Sequence, residues 1–94
     1  MGFVGISHEF LRFIKDKKIH LIEDVCESHG ARLANKKIGT FGLMSNFSFY
    51  YGHHMTTIEG GMISTNSKEI DRIAKMKRGH GLLRDSQDKS FINK

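Results

Sequence analysis

Apolar positions fall with helical spacing at Phe10, Leu11, Phe13 and Ile14, opposed by Glu9, Arg12, Lys15 and Lys17, which predicts an amphipathic helix over residues 8–18. Ser7 stands where its hydroxyl can accept from a first-turn amide, as an N-cap does. The next run, Ile19-His20-Leu21-Ile22-Glu23-Asp24, is short, largely apolar and closed by two acids, and it predicts a strand over residues 19–24. Helix followed by strand is an α/β pattern. Turn residues Asn35, Lys36, Lys37 and Gly39 mark residues 30–40 as connecting structure. Aromatic, alternating residues 45–51 predict a second strand and residues 60–65 a third. A helix follows, opened by Asn66 with Glu69 in capping-box spacing and ended by Gly79. Its expected buried face is Ile70, Ile73 and Ala74, extended to Met76 and Lys77. Residues 82–94 are polar, without a clear packing partner, and are expected to be poorly ordered in isolation.

The chain is organised around residues 47–61, which read as strand, polar turn, strand. Ser48, Tyr50, Tyr51, His53, His54, Thr56, Thr57 and Glu59 crowd this connection. Loops held by a rigid sheet are where binding chemistry concentrates, although the same residues also make an ordinary polar hairpin. A second candidate cluster lies at the end of the first strand. In α/β sheets ligands sit at the carboxyl ends of strands, where Asp24 falls, followed by Glu27 and His29. These acids read either as ligand contacts or as the start of a helix.

Composition narrows the choices. Ninety-four residues make one small domain with a modest core. The single cysteine, Cys26, excludes an internal disulfide framework and fits a reducing compartment. There is no apolar run of membrane-spanning length and no signal-peptide pattern at the start, so a cytoplasmic location without membrane association is the expectation. The net charge of +5 admits a basic nucleic-acid-binding module as an alternative function. The basic residues are scattered, however, and a solvated surface accounts for them. No repeat, linker or low-complexity segment interrupts the chain.

Six histidines invite a metal reading. No His-Glu-x-x-His or Cys-x-x-Cys spacing is present, and adjacent His53 and His54 point to opposite faces if extended, so no metal site is expected. There is no Gly-x-Ser-x-Gly nucleophile elbow and no glycine-rich phosphate loop.

One series of motifs remains: Leu21-Ile22-Glu23-Asp24-Val25-Cys26-Glu27-Ser28-His29-Gly30-Ala31, then Ile38-Gly39-Thr40-Phe41-Gly42, Phe47-Ser48-Phe49, Thr56-Thr57-Ile58-Glu59-Gly60-Gly61 and Arg78-Gly79-His80-Gly81. In order and spacing this series closely resembles the DegT/StrS sugar aminotransferase family over about residues 19–81. The resemblance implies an α/β fold, as a fragment of the large cofactor-binding domain of the aspartate-aminotransferase fold. It also implies a pyridoxal 5′-phosphate enzyme acting on nucleotide-linked keto sugars. Asp24 matches the aspartate that pairs with the cofactor's pyridine nitrogen, keeping the ring protonated and electron-accepting. Ser48 matches the hydroxyl that binds the cofactor phosphate. Glu27 falls where most members carry a glutamine near the ring hydroxyl. His54, His29 and Glu59 match polar positions around the pocket, without separate roles.

His53 falls where aminotransferases carry the lysine that holds the cofactor covalently. An imidazole forms no stable Schiff base, but it carries protons well near neutral pH. The same replacement, with an acid at the Glu27 position, marks the sugar 3-dehydratases of the family. Those use pyridoxamine 5′-phosphate and a 4-keto-6-deoxy sugar, with the histidine removing a proton from the cofactor before the C3 hydroxyl leaves. The resemblance therefore implies His53 as general base, with an aminotransferase as the alternative. It further implies that residues 1–94 are a partial large domain, lacking the N- and C-terminal parts of the family fold. A parent homodimer active in lipopolysaccharide or other surface-glycan biosynthesis is implied too, and the piece alone is expected to be inactive and poorly folded.

Overall fold

A computed structural model describes residues 2–81. Its first element is helix α1 (His8–Asp16), and the Ser7 hydroxyl accepts from the Phe10 amide at 3.1 Å, as the sequence predicts. The helix stops short of the expected residue 18 because Lys18 turns left-handed, with φ 54°. Ile14 is the position of its apolar face that becomes buried; Phe10 and Phe13 remain exposed.

Strand β1 (Ile22–Asp24) is shorter than predicted, because a strand extends only as far as its partner does. That partner is β4 (Met44–Ser48), with Ile22, Glu23 and Asp24 opposite Met44, Ser45 and Asn46 in parallel register. Between them residues 30–40 carry a small antiparallel hairpin, β2 (Arg32–Leu33) and β3 (Lys36–Lys37). Its two-residue turn is Ala34-Asn35, both at positive φ, the pattern of a type I′ turn. Strand β5 (Gly61–Ser64) then pairs antiparallel with β4, giving the sheet order β1-β4-β5. Strand β5 lies within its predicted run, whereas β4 begins one residue before its run, at Met44, and ends at Ser48 rather than residue 51.

Helix α2 (Lys68–Arg78) closes the described chain. Its cap is Ser67 rather than Asn66: the Ser67 hydroxyl accepts from the Ile70 amide at 3.3 Å. Asn66 sits one residue too early for that reach. Gly79 ends the helix as predicted, but with φ −88°, and the left-handed turn falls on His80 and Gly81. Ile70, Ile73, Ala74 and Met76 are half-buried, whereas Lys77 is exposed and forms no part of the buried face. Residues 82–94 lie outside the described residues, as does the expectation made for them.

Side chains alternate across the sheet, so β1 and β4 have two different faces. On one, Glu23 is buried and receives the amides of Gly39, Phe41 and Gly42 at 2.6, 2.7 and 2.6 Å. Ser45, wholly buried beside it, donates to the Gly39 carbonyl at 2.8 Å. Val25, also fully buried, completes this interior. Gly42 permits the tight approach: a Cβ there would stand 2.5 Å from the Leu21 carbonyl oxygen. The opposite face carries Asp24, Asn46 and Ser48.

Candidate functional site

Asp24 ends β1 with its carboxylate exposed, and the chain beyond it is a turn rather than a helix. No helix starts there, which removes the helix-start reading of the acids. Asp24 Oδ1 accepts from the Cys26 amide at 3.1 Å and from Asn46 Nδ2 at 3.1 Å, while Asn46 also reaches Cys26 Sγ at 3.4 Å. The Cys26 thiol first, then its amide and Asn46, hold the Asp24 carboxyl below its ordinary value of 3.8, and the positive charge of His53 adds to this. The same contact with Asp24 raises the Cys26 thiol.

A carboxylate whose folded value is depressed stabilises the fold above its unfolded value, and that stabilisation is lost as pH falls through the folded one. The stability difference between the native chain and Asp24→Asn is therefore expected at neutral pH and should vanish on acidification below about 3.8. Thermal unfolding of both across a pH series measures it; a difference that persists unchanged in acid contradicts the assignment.

Residues 49–60 link β4 to β5, and bonds from Phe49 N to Gly60 O at 2.8 Å and from Thr57 N to Phe49 O at 2.9 Å pinch the ends of this loop together. His53 lies inside it. Its amide donates to the Tyr50 carbonyl at 3.0 Å and its ring meets the edge of Tyr50 at 6.1 Å. His53 Nδ1 lies 2.7 Å from Glu27 Oε1, an ion-pair distance, although its N–H is not aligned as a hydrogen bond. The two stretches that the sequence singled out thus meet: Asp24 and Glu27 from the end of β1, His53 from the loop. Ser48 shares the face of Asp24 and Asn46, and its hydroxyl accepts from the Tyr50 amide at 3.3 Å.

His29 is elsewhere. It stacks on Phe47 at 5.7 Å and Phe49 at 5.8 Å, and Phe47 alternates away from Asn46, so this imidazole belongs to the opposite face. Both its ring nitrogens are buried without a hydrogen-bond partner among the described residues. His54 and Glu59 are exposed in the loop. No group of three His, Cys, Asp or Glu able to hold a metal occurs among the described residues. Sequence reasoning missed Asn46, although counting back two positions from Ser48 puts an amide on the same face.

A cavity of about 320 Å³ opens beside β1, lined among others by Phe3, Ile6, Ile38 and the three acids Glu23, Asp24 and Glu27; His53 and Ser48 are not part of its lining. The arrangement offers a fixed, ionised carboxylate facing solvent, a hydroxyl on the same face, and an imidazole backed by a second carboxylate. Such a set suits a ligand with a protonated nitrogen at Asp24 and a proton carrier at hand, and it contains no amine for covalent attachment; a phosphate at Ser48 is what the family resemblance implies.

The sequence model of the DegT/DnrJ/EryC1/StrS aminotransferase family matches residues 8–94. Over 89% of its length the chain is 46% identical to the GDP-4-keto-6-deoxy-D-mannose 3-dehydratase of Escherichia coli O55:H7, of which it covers 22%. Among solved structures, an E. coli GDP-4-keto-6-deoxy-D-mannose-3-dehydratase with bound hydrated PLP superposes with a TM-score of 0.76 at 41% identity, over 88% of this chain and 24% of that one. A Helicobacter pylori aminotransferase involved in the biosynthesis of pseudoaminic acid gives 0.81 at 31% identity, over 93% and 24%. The chain spans 22–24% of the length of the first curated relatives it matches.

Proposed function

This chain belongs to the DegT/DnrJ/EryC1/StrS aminotransferase family, and from that premise we propose that it supplies part of the large cofactor-binding domain of a 3-dehydratase for nucleotide-linked 4-keto-6-deoxy sugars. The observation that carries this reading is the imidazole of His53 set against Glu27 at 2.7 Å and close enough to Asp24 to bias its ionisation, where an aminotransferase needs a lysine. The similarity to two GDP-4-keto-6-deoxy-D-mannose 3-dehydratases points the same way. Aminotransferase relatives keep amination as the second reading. The family match lends nothing to a nucleic-acid-binding module.

Pyridoxamine 5′-phosphate, when bound, supplies an amine for the sugar ketone and a ring that accepts electrons. Asp24 would hold its pyridine nitrogen protonated, Ser48 its phosphate, and Glu27 would lie near its ring hydroxyl. Asn46 and the Cys26 amide keep the Asp24 carboxylate ionised and in place for that task. His53 would accept at Nε2, the nitrogen turned away from Glu27, the proton that the bound cofactor gives up, and would hand it to the departing C3 hydroxyl, which leaves as water.

The same reading makes the working protein a homodimer in the cytoplasm. Exposed Tyr51 and Ile58 in the 49–60 loop are apolar surface that a second subunit would cover. No helix among the described residues is long and apolar enough to cross a membrane. The deciding experiment supplies the full polypeptide carrying these residues with pyridoxamine 5′-phosphate and a nucleotide-linked 4-keto-6-deoxy sugar, and reads the product mass. A keto product lacking the C3 hydroxyl is expected; an amino sugar establishes aminotransfer instead.

A further inference from the structure

We propose that Glu27 is a positioning residue for His53, holding the ring with its Nδ1–H toward the Glu27 carboxylate so that Nε2 stands unprotonated and ready to accept. This deepens the reading of His53 as the base and rests on it. It also gives Glu27 a task that its place near the cofactor's ring hydroxyl does not include.

The two atoms are 2.7 Å apart, inside hydrogen-bond range, so a small rotation of the ring aligns the N–H. Catalytic hydrogen bonds are often poorly aligned before ligands bind and tighten afterwards. Both partners are anchored by backbone rather than by chance contact. The Glu27 carbonyl accepts from the Gly2 amide at 2.6 Å, and the turn that carries Glu27 is closed by Ser28 N to Val25 O at 3.0 Å. On the other side the amide of His53 is tied to Tyr50 and its ring rests against the Tyr50 edge. His53 is 19% exposed and Glu27 57%, so the imidazole is screened while the carboxylate keeps contact with water.

The chemistry needs such a partner. A neutral imidazole carries one proton, and in water the Nε2–H form is favoured, which puts the lone pair on the wrong nitrogen for this geometry. A carboxylate at Nδ1 reverses the preference, and it stabilises the imidazolium formed once Nε2 has taken its proton. The Asp24 charge assists the second effect but lies with the β1–β4 face, not at Nδ1. The proton balance is closed: Nε2 would gain the proton that the bound cofactor gives up, Glu27 gains none, and the departing hydroxyl would remove it as water.

The first test needs no substrate. Long-range ¹⁵N–¹H correlation on the full polypeptide with ¹⁵N-labelled histidines, at a pH where the ring is neutral, should show His53 protonated on Nδ1. Glu27→Gln should shift it largely to Nε2, and Glu27→Asp, which keeps the carboxylate, should give an intermediate ratio. A native ring protonated on Nε2, or a ratio unmoved by Glu27→Gln, overturns the proposal. Glu27 is surface-exposed, so neither variant threatens the fold. The second test uses the full polypeptide with cofactor: Glu27→Gln should lower kcat by about 10–100-fold with KM for the sugar unchanged, and Glu27→Asp should recover part of it. Full kcat in Glu27→Gln, alongside an inactive His53→Gln, overturns the positioning role and leaves His53 as the base. An active His53→Gln overturns the base reading instead, and the tautomer measurement then decides the placement of the ring alone.

Discussion

Replacing His53 by glutamine in the full polypeptide, with pyridoxamine 5′-phosphate bound, is expected to lower the rate of C3 deoxygenation by about 10²–10⁴-fold, the usual worth of a positioned general base. Glutamine keeps a polar side chain of similar reach but cannot cycle a proton near neutral pH. The sugar is held by other groups, so its KM should stay close to that of the native enzyme. His53→Lys separates proton carriage from covalent chemistry. A lysine amine can bond to the aldehyde form of the cofactor, and borohydride reduction should then leave the protein heavier by that group, whereas the native protein should release its cofactor on denaturation. Loss of dehydration together with gain of the reducible adduct is the expected pair of results. Deoxygenation at the native rate in His53→Gln would show that another residue carries the proton, with His54 the next to replace.

The largest effect on stability is expected from Glu23→Ala. The Glu23 carboxylate is 5% exposed and receives three backbone amides, from Gly39, Phe41 and Gly42. No carboxylate remains in the variant to receive them, and water must enter the same interior to replace it. An unsatisfied buried donor costs about 1–3 kcal/mol. Relaxation and water entry recover part of the sum, which leaves an expected loss of about 3–5 kcal/mol. Small domains are stable by only about 5–15 kcal/mol, so this change removes a large share of the total. Glu23→Gln should lose less, because its carbonyl oxygen can keep the Phe41 and Gly42 amides that share Oε1, while its NH₂ faces the Gly39 amide alone. Denaturant titration of the native chain and both variants measures the loss. A change under about 0.5 kcal/mol, the level of an ordinary surface substitution, would mean the carboxylate is dispensable.

Glu23 also marks the limit of what the sequence disclosed. Ser7, the helical spacing after it and the paired runs around residues 45–51 and 60–65 were legible, because caps and periodicity are local signals. The two adjacent acids were not separable in that way. The sequence reading placed Asp24 at the ligand end and gave Glu23 no task, whereas alternation sends Glu23 to the interior, where it gathers three amides. The length of β1 was equally hidden, since it depends on where β4 begins. Ser67 and Asn66 are both good caps, and only the path of the chain out of β5 selects between them. His53 and Glu27 are distant in sequence, and their contact follows from how residues 49–60 fold back over the end of β1. The family resemblance named both residues but not the contact between them. His29, also polar and five residues beyond Asp24, lies on the far face against Phe47 and Phe49.

The Glu23 anchor has a kinetic side as well. Strands β1 and β4 run parallel and cannot meet through a tight turn, so the intervening chain must close first, at an entropic cost that grows with its length. Glu23 reaches amides 16, 18 and 19 residues ahead, and thereby closes that loop with a single side chain that is already part of β1. Once those three amides are gathered, β4 begins directly beyond Gly42 and Leu43, already beside its partner. By this loop-closure argument the carboxylate is expected to act in the nucleus from which the parallel pair condenses, and so to influence how fast the sheet forms as well as how firmly it holds.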